Sequence, residues 1–375
     1  MSPAASVVIV TYNGAAFVRR LLDSLRAQTE KGFEVLLVDN ASTDGTADIV
    51  AADYPEVRLF RQGENLHFAR GNNLGYSKAE APVVVLLNQD TWVEHDWLHR
   101  LLAPLWADTE EAIACTHSPI LNEGDAYAHS TARFHPEGTK LATLSVAGRN
   151  CLTQVPFDPE LIFYGSGGAI AIRKSFAGEE LFIPEYRAYA EDVALGWRMR
   201  LRGGRVVMVP AAHVHHALPS EGRPSSPELV YLWERNRLAS IYIHYHPRTR
   251  WMLKPVLAAD LVSLWLPKPA GLQPDGAPWK GGKGPAAPPT EVRRELRRAV
   301  GRALLETLAS NTRLKARYRE VEAVREVSDR EVTRFMTARL TPFDTGMLGR
   351  LNRFSKAWCK AFGIVTVETA PPGEG

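Results

Sequence analysis

The sequence predicts an α/β domain with a mainly parallel central sheet, followed by a helical extension. Three short runs carry that prediction: VVIV at 7–10, VLLV at 35–38 and VVVLL at 83–87. Each is wholly apolar and rich in β-branched residues, as strands buried on both faces require. Between the first two lies a helical pattern over 17–27, with Phe17, Val18, Leu21, Leu22 and Leu25 on one stripe, and a weaker one follows at 46–52. Strand and helix alternating in this way place ligands beyond the carboxyl ends of the strands.

Polar residues crowd those ends. Thr11, Tyr12, Asn13 and Gly14 follow the first run, the stretch 39–45 (DNASTDG) the second, and Asn88, Gln89 and Asp90 the third, so all three sets share one rim. Further on, a glycine-rich turn at 165–168 leads into a strand ending at Arg173, residues 191–201 read as a helix, and 205–209 as a strand stopped by Pro210. Residues 1–266 are expected to form the catalytic domain. The Pro-, Gly- and Lys-rich stretch 267–290 reads as a linker, and 291–375 as a basic helical extension. In that extension Arg294, Arg298 and Arg302 stand four apart beside the apolar stripe Val292, Leu296, Val300 and Leu304.

Composition narrows the class. At 375 residues, 45% hydrophobic and 23% charged, the chain can bury a large core and is neither disordered nor a polytopic membrane protein. A net charge of +3, with no recognisable reading module, argues against nucleic acid. Cys115, Cys151 and Cys359 form neither a disulfide framework nor a thiolate zinc site, which fits a reducing compartment. The first residues lack a signal-peptide pattern, and no apolar run reaches the roughly 18 to 20 residues of a bilayer span. The expected location is the cytoplasm, with peripheral contact at the inner face of the cell membrane.

The chemistry-bearing residues each admit two readings. Asp90, directly after a buried strand, offers an oxygen to a hard cation or simply caps the turn before Thr91. Asp39 can accept a nucleobase imide proton, whereas Thr43 or Asp44 caps the following helix. Glu191 and Asp192 open a helix, either as a catalytic pair or as ordinary first-turn acids. Among His213, His215 and His216, the first two project to one face of an extended segment and the third to the other. A dedicated zinc site lacks thiolate or clearly spaced carboxylate partners and is not expected. Gly167 either lets backbone approach a ligand or makes a tight bend, and Trp197 packs its helix.

Taken in order, VIVTYN at 8–13, the run 39–46, the stretch 65–75 and NQDT at 88–91 resemble family 2 of the inverting glycosyltransferases, over about residues 6–245. The nearest likeness is to rhamnosyltransferase-like enzymes of bacterial cell-surface polysaccharides. The resemblance implies a GT-A fold, a nucleoside-diphosphate sugar (dTDP- or UDP-linked, with dTDP-rhamnose one candidate), and Mn2+ or Mg2+. A glycan or lipid-linked acceptor would supply the attacking hydroxyl. It further implies that Thr11, Tyr12 and Asp39 hold the nucleotide, together with Asn13, Asn40, Asn88 and Gln89. Arg70 and Asn73 would continue the donor pocket, with Gly167 beside it. Asp90 and His216, six residues after Pro210, would hold the metal, and Asp192, next to Glu191, would be the general base. The chain departs from the family pattern at His67, where glycine is common, and at Asn88, where aspartate is.

Two readings of the C-terminal helices stand level: they rest on anionic lipid near a lipid-linked acceptor, or they pack on the catalytic domain or form a homo-oligomer interface. Competing functions are a nucleotidyltransferase or other nucleotide-sugar enzyme and a noncatalytic nucleotide-binding module. The first lacks a glycine- and lysine-bearing phosphate loop near Val10; a nicotinamide oxidoreductase lacks the three-glycine fingerprint.

Overall fold

The computed structural model describes residues 3–122, 128–129, 132–135, 138–154, 162–217, 226–266 and 290–367. The chain divides into two compact units, Met1–Thr131 with Pro159–Pro224, and Ala132–Asp158 with Ser225–Gly375. The first unit opens with β1 (Ala5–Thr11), α1 (Val18–Arg26), β2 (Phe33–Asp39), α2 (Thr46–Asp53), β3 (Arg58–Arg61), α3 (His67–Lys78) and β4 (Val83–Leu87). It continues through β5 (Thr91–Val93), α4 (Trp97–Ala107), β6 (Ile113–His117), β7 (Ile120–Asn122) and β8 (Ala128–His129). Strands β9 (Ala132–His135), β10 (Gly138–Leu144) and β11 (Asn150–Gln154) belong to the second unit. The chain then returns to the first with β12 (Ala169–Arg173), the single turn α5 (Lys174–Ala177), α6 (Glu191–Leu201), β13 (Arg205–Met208) and β14 (Val214–His216).

The seven-stranded sheet runs β13-β6-β12-β4-β1-β2-β3. Strand β12 pairs antiparallel with both β4 and β6, and all other pairings are parallel, so the sheet is mainly parallel as the apolar runs predict. After β3 the chain crosses back to place β4 on the far side of β1. That reversal opens a crevice beyond the carboxyl ends of β1 and β4, where ligands of such sheets bind. The register pairs Thr11 with Asp39 at the rim.

Both faces of the sheet are covered. Val7, Ile9, Leu37, Val85 and Leu87 share one core with Leu21, Leu22 and Leu25 of α1 and Trp97, Leu98, Leu101 and Leu105 of α4. On the other face, α3 lies so close to β1 that a Cβ at Gly75 would run into Val8, so glycine sets that spacing. A second, four-stranded sheet, β5-β14-β7-β8, joins the segment after β4 to the end of the unit.

The second unit contains the antiparallel sheet β9-β10-β11 and the helices α7 (Pro227–His244), α8 (Pro247–Ser263), α9 (Thr290–Ala309), α10 (Asn311–Ala323), α11 (Asp329–Thr333) and α12 (Gly346–Ala361). Helices α7 and α8, placed with the catalytic domain on the sequence, group here, because α7 packs on α9 and α10 and α8 on α12. The expected linker at 267–290 lies outside the described residues but for its last. In α9, Val300 is buried as the apolar stripe predicts, while Arg294, Arg298 and Arg302 are exposed. Asp260, which interrupts an apolar stretch of the sequence, is fully buried. Its carboxylate accepts from Arg149 Nε at 2.8 Å and faces Arg237 Nη2 at 3.1 Å, and Glu234 completes the cluster at 2.8 Å from Arg149 and 2.7 Å from Arg237.

Candidate active site

The first rim loop is built by side chains from its neighbours. Four consecutive backbone N–H groups of the β1–α1 loop each donate to a different one: Tyr12 to Gln89 Oε1, Asn13 to Ser42 Oγ, Gly14 to Thr46 Oγ1 and Ala15 to Asp44 Oδ2, all at 2.9 Å. The loop cannot satisfy these donors itself, because it leaves the strand before α1 begins. Gln89 also donates to Tyr12 O at 3.3 Å, and Asn13 Oδ1 accepts from Thr43 N at 2.9 Å. A Cβ on Gly14 would stand 2.5 Å from Gln89 Oε1, so the lacing needs glycine there. Ser42, Asp44 and Thr46 therefore organise the rim, a role that the spacing of a single segment does not reveal.

Asp39 ends β2 almost wholly buried. It accepts from Thr11 Oγ1 and from Ser42 N, each at 3.1 Å. Asn40 is buried beside it and donates through Nδ2 to His67 O at 3.2 Å, while its Oδ1 has no partner among the described residues. A buried acceptor left in that state points to a missing donor. Tyr12 stands nearby with 48% of its surface exposed, an aromatic face open to solvent at the rim.

Strain gathers around the same rim. Asn13, Ala41, His67, Tyr189 and Ala190 all have φ between 51° and 71°. His67 (φ 59°) adopts a backbone conformation that glycine takes without strain. Left-handed backbone in ordinary residues is held only where the surroundings enforce it, and such positions concentrate at functional sites.

Beyond β4, Asn88 N donates to Gly168 O at 3.0 Å, and Ala217 N donates to Asp90 O at 2.8 Å. The β5–β14 pairing sets His216 opposite Thr91, and this brings His216 Nε2 to 3.3 Å from Asp90 Oδ1, both side chains being largely buried. A carboxylate and an imidazole so disposed are a donor pair that suits Mn2+ better than Mg2+, which prefers oxygen throughout.

The glycine turn links this loop to the acidic pair. Gly167 N donates to Asp192 Oδ2 at 3.3 Å, and the next residue, Gly168, receives Asn88. Ala190, in the left-handed conformation, starts α6 and so sets Glu191 and Asp192 in its first turn. Burial raises the Asp192 carboxyl to about 6, against the pull of the Gly167 and Val193 N–H groups. Burial, and then the neighbouring Asp192, push Glu191 well above the usual carboxylate range, and its Oε2 has no partner among the described residues. Of the two carboxyls, Glu191 is therefore the one held more firmly in its protonated form. Trp197 is fully buried, edge-on to Phe163 at 5.6 Å, as a packing residue.

Two expected donor-pocket residues differ from each other. Arg70 is exposed and makes no hydrogen bond or ion pair among the described residues. Asn73 has both ends of its amide engaged with the backbone of Phe182, at 2.8 Å each way, and so braces the wall. Arg187, which the sequence did not single out, is exposed with φ 61° and accepts from Ala69 N at the start of α3.

The sequence signature described as Glycosyl transferase family 2 matches residues 6–179. A relative from Mycobacterium tuberculosis (strain CDC 1551 / Oshkosh), named N-acetylglucosaminyl-diphospho-decaprenol L-rhamnosyltransferase, is 31% identical over 259 residues, 61% of this chain and 81% of its own. The chain belongs to glycosyl transferase family 2. This transferase is also similar to the O-antigen chain rhamnosyltransferase WbaN of Salmonella anatum, at 24% identity over 57% of this chain and 66% of the relative. Its fold is of GT-A type. S. aureus TarS 1–349 in complex with UDP superposes with a TM-score of 0.51 at 15% identity, covering 94% of the transferase and 87% of TarS 1–349. GalNAc-T7 with UDP, GalNAc and Mn2+ gives 0.53 at 18% identity, over 83% and 57%. The transferase is thus a glycosyltransferase of the rhamnosyltransferase-like kind.

Proposed function

We propose that the enzyme transfers a hexosyl or deoxyhexosyl group from a dTDP- or UDP-sugar to a hydroxyl of a lipid-linked glycan by a single inverting displacement. The observation that carries the reading is the chain of contacts joining Asp192, Gly167, Gly168 and Asn88 to the Asp90–His216 pair, which supports a base and a donor loop sharing one rim. In this reading Asp39 and the free Asn40 Oδ1 receive donors of the pyrimidine and ribose, Tyr12 covers the base, and Arg70 faces the diphosphate. The acceptor hydroxyl gives its proton to Asp192 as its oxygen bonds to the anomeric carbon, and the bond to the diphosphate oxygen breaks on the opposite side. Asp90 and His216 would hold a divalent cation, whose chemistry is to neutralise charge on the departing diphosphate.

Thermal shift of the full chain with UDP, dTDP and GDP, with and without Mn2+, tests the site. Metal-dependent stabilisation by a pyrimidine diphosphate is expected in the wild type and absent in Asp90→Ala. A folded wild type that responds to none of the diphosphates would sink the proposal. Retention of configuration at the product's anomeric centre would overturn the single displacement.

The lipid-linked acceptor draws its support from the relative's name and from α12. Its exposed face carries Met347, Arg350 and Phe354 at three- and four-residue spacing, flanked by Arg353 and Lys360. Apolar and aromatic side chains interleaved with cations are what an interfacial helix presents to anionic lipid. No helix among the described residues is long and apolar enough to cross a membrane.

A further inference from the structure

The second sheet places two histidines and a carboxylate together on the face that does not carry His216. Strand β14 alternates, so His215 points away from the Asp90–His216 pair and shares its face with His213 two residues earlier. Strand β5 runs antiparallel to β14 with His215 opposite Trp92 and Val214 opposite Val93, and this register delivers Glu94 next to both histidines. Glu94 Oε1 lies 3.1 Å from His215 Nε2, the His213 and His215 rings are 5.4 Å apart, and one ligand atom from each of the three side chains falls within 4.8 Å of the others. Ligand atoms around a tetrahedral ion stand roughly 3–3.5 Å apart, so rotation about side-chain torsions is enough to close the set.

The arrangement is braced. His215 stacks on Trp92 at 5.3 Å, and the Arg20 guanidinium also sits over that indole, at 3.2 Å. Arg100, whose charge acts on His213, is paired with Asp96 at 2.6 Å. Two neutral imidazoles and one carboxylate leave further positions on an ion for water. That donor set selects borderline transition metals, Zn2+ above all, over the harder cations that an all-oxygen site takes.

We propose that Glu94, His213 and His215 form a second metal site, for Zn2+ or a similar transition-metal ion, separate from Asp90 and His216. A bound ion would tie β5 to β14, the two strands that position Asp90 and His216, and so stiffen the hairpin-like pair from its outer face.

The test uses untagged full-length protein in three forms: wild type, His216→Ala, and His216→Ala combined with His213→Ala and His215→Ala. Equilibrium dialysis measures bound Zn2+, visible absorption reads the coordination of bound Co2+, and melting in metal-free buffer checks that each form is folded. His216→Ala is expected to keep about one ion per chain, to show an intense Co2+ band in the visible, and to melt higher in Zn2+ than without it. The triple variant should lose all three signatures while melting in metal-free buffer like His216→Ala. No ion bound by folded His216→Ala, or equal uptake by the triple variant, would overturn the proposal. Uptake only at millimolar Zn2+ in both variants would overturn it too, as adventitious surface binding.

Discussion

Asp192 carries two opposed consequences of one environment. Its native carboxyl is raised to about 6, above the roughly 3.9 of an unfolded aspartate, so between those values the folded chain holds the extra proton. That contribution to stability is present below the unfolded value and is lost as pH rises through about 6. Asp192→Asn should therefore melt about 3–4 °C higher than wild type at pH 7 and show little gain near pH 4. The same substitution should lower transfer by about 10²–10⁴-fold, and the wild-type rate should fall on the acid side of about pH 6. Calorimetry and initial rates across pH check both; an acid limb retained in a residually active Asp192→Asn would assign it to another group. At His67 the left-handed strain costs about 1–2 kcal/mol, and glycine's extra unfolded-state freedom costs about 0.5–1 kcal/mol. His67→Gly should thus raise the denaturation midpoint slightly, with an unchanged denaturant slope.

Between elements, the largely buried cluster of Arg149, Glu234, Arg237 and Asp260 ties the β10–β11 turn to α7 and α8. Two cations and two carboxylates cancel, and burial, which by itself would raise Glu234, is outweighed by Arg237 and Arg149, holding it down to about 2. Its contribution is present above the unfolded glutamate value and is lost as pH falls through about 2. Asp260→Ala leaves two buried guanidinium groups facing one carboxylate and should cost about 3–5 kcal/mol in urea unfolding, whereas an exposed pair such as Arg61–Asp48 should cost under about 1 kcal/mol.

At the scale of the molecule the question is where the enzyme meets its acceptor. The exposed apolar residues of the second unit include Trp251, Val262, Trp265, Met347, Phe354 and Phe362, with arginines and lysines among them on α12. Flotation with vesicles containing phosphatidylglycerol should carry the full chain upward, and Arg353→Glu with Phe354→Glu should reduce that binding several-fold at low salt. Equal and negligible flotation of both proteins would leave the helices a packing or self-association role.

The sequence by itself determined five of the seven strands of the main sheet and the principal rim segments, because apolar runs and turn chemistry are local: β1, β2, β4 and α6 fall on the residues that periodicity predicts, the ordered motifs point to the family, and β3 and β6 emerge only in the structure. Tertiary structure decided what those residues touch. That Gln89, Ser42, Thr46 and Asp44 lace one loop, that Asn73 braces Phe182, and that α7 and α8 join the C-terminal helices are all long-range pairings. Glu94 shows the reason most plainly: about 120 residues of chain separate it from the histidines, and only the register of β5 on β14 brings the carboxylate to them. Local pattern sets which face a side chain takes, and strand register sets what lies opposite.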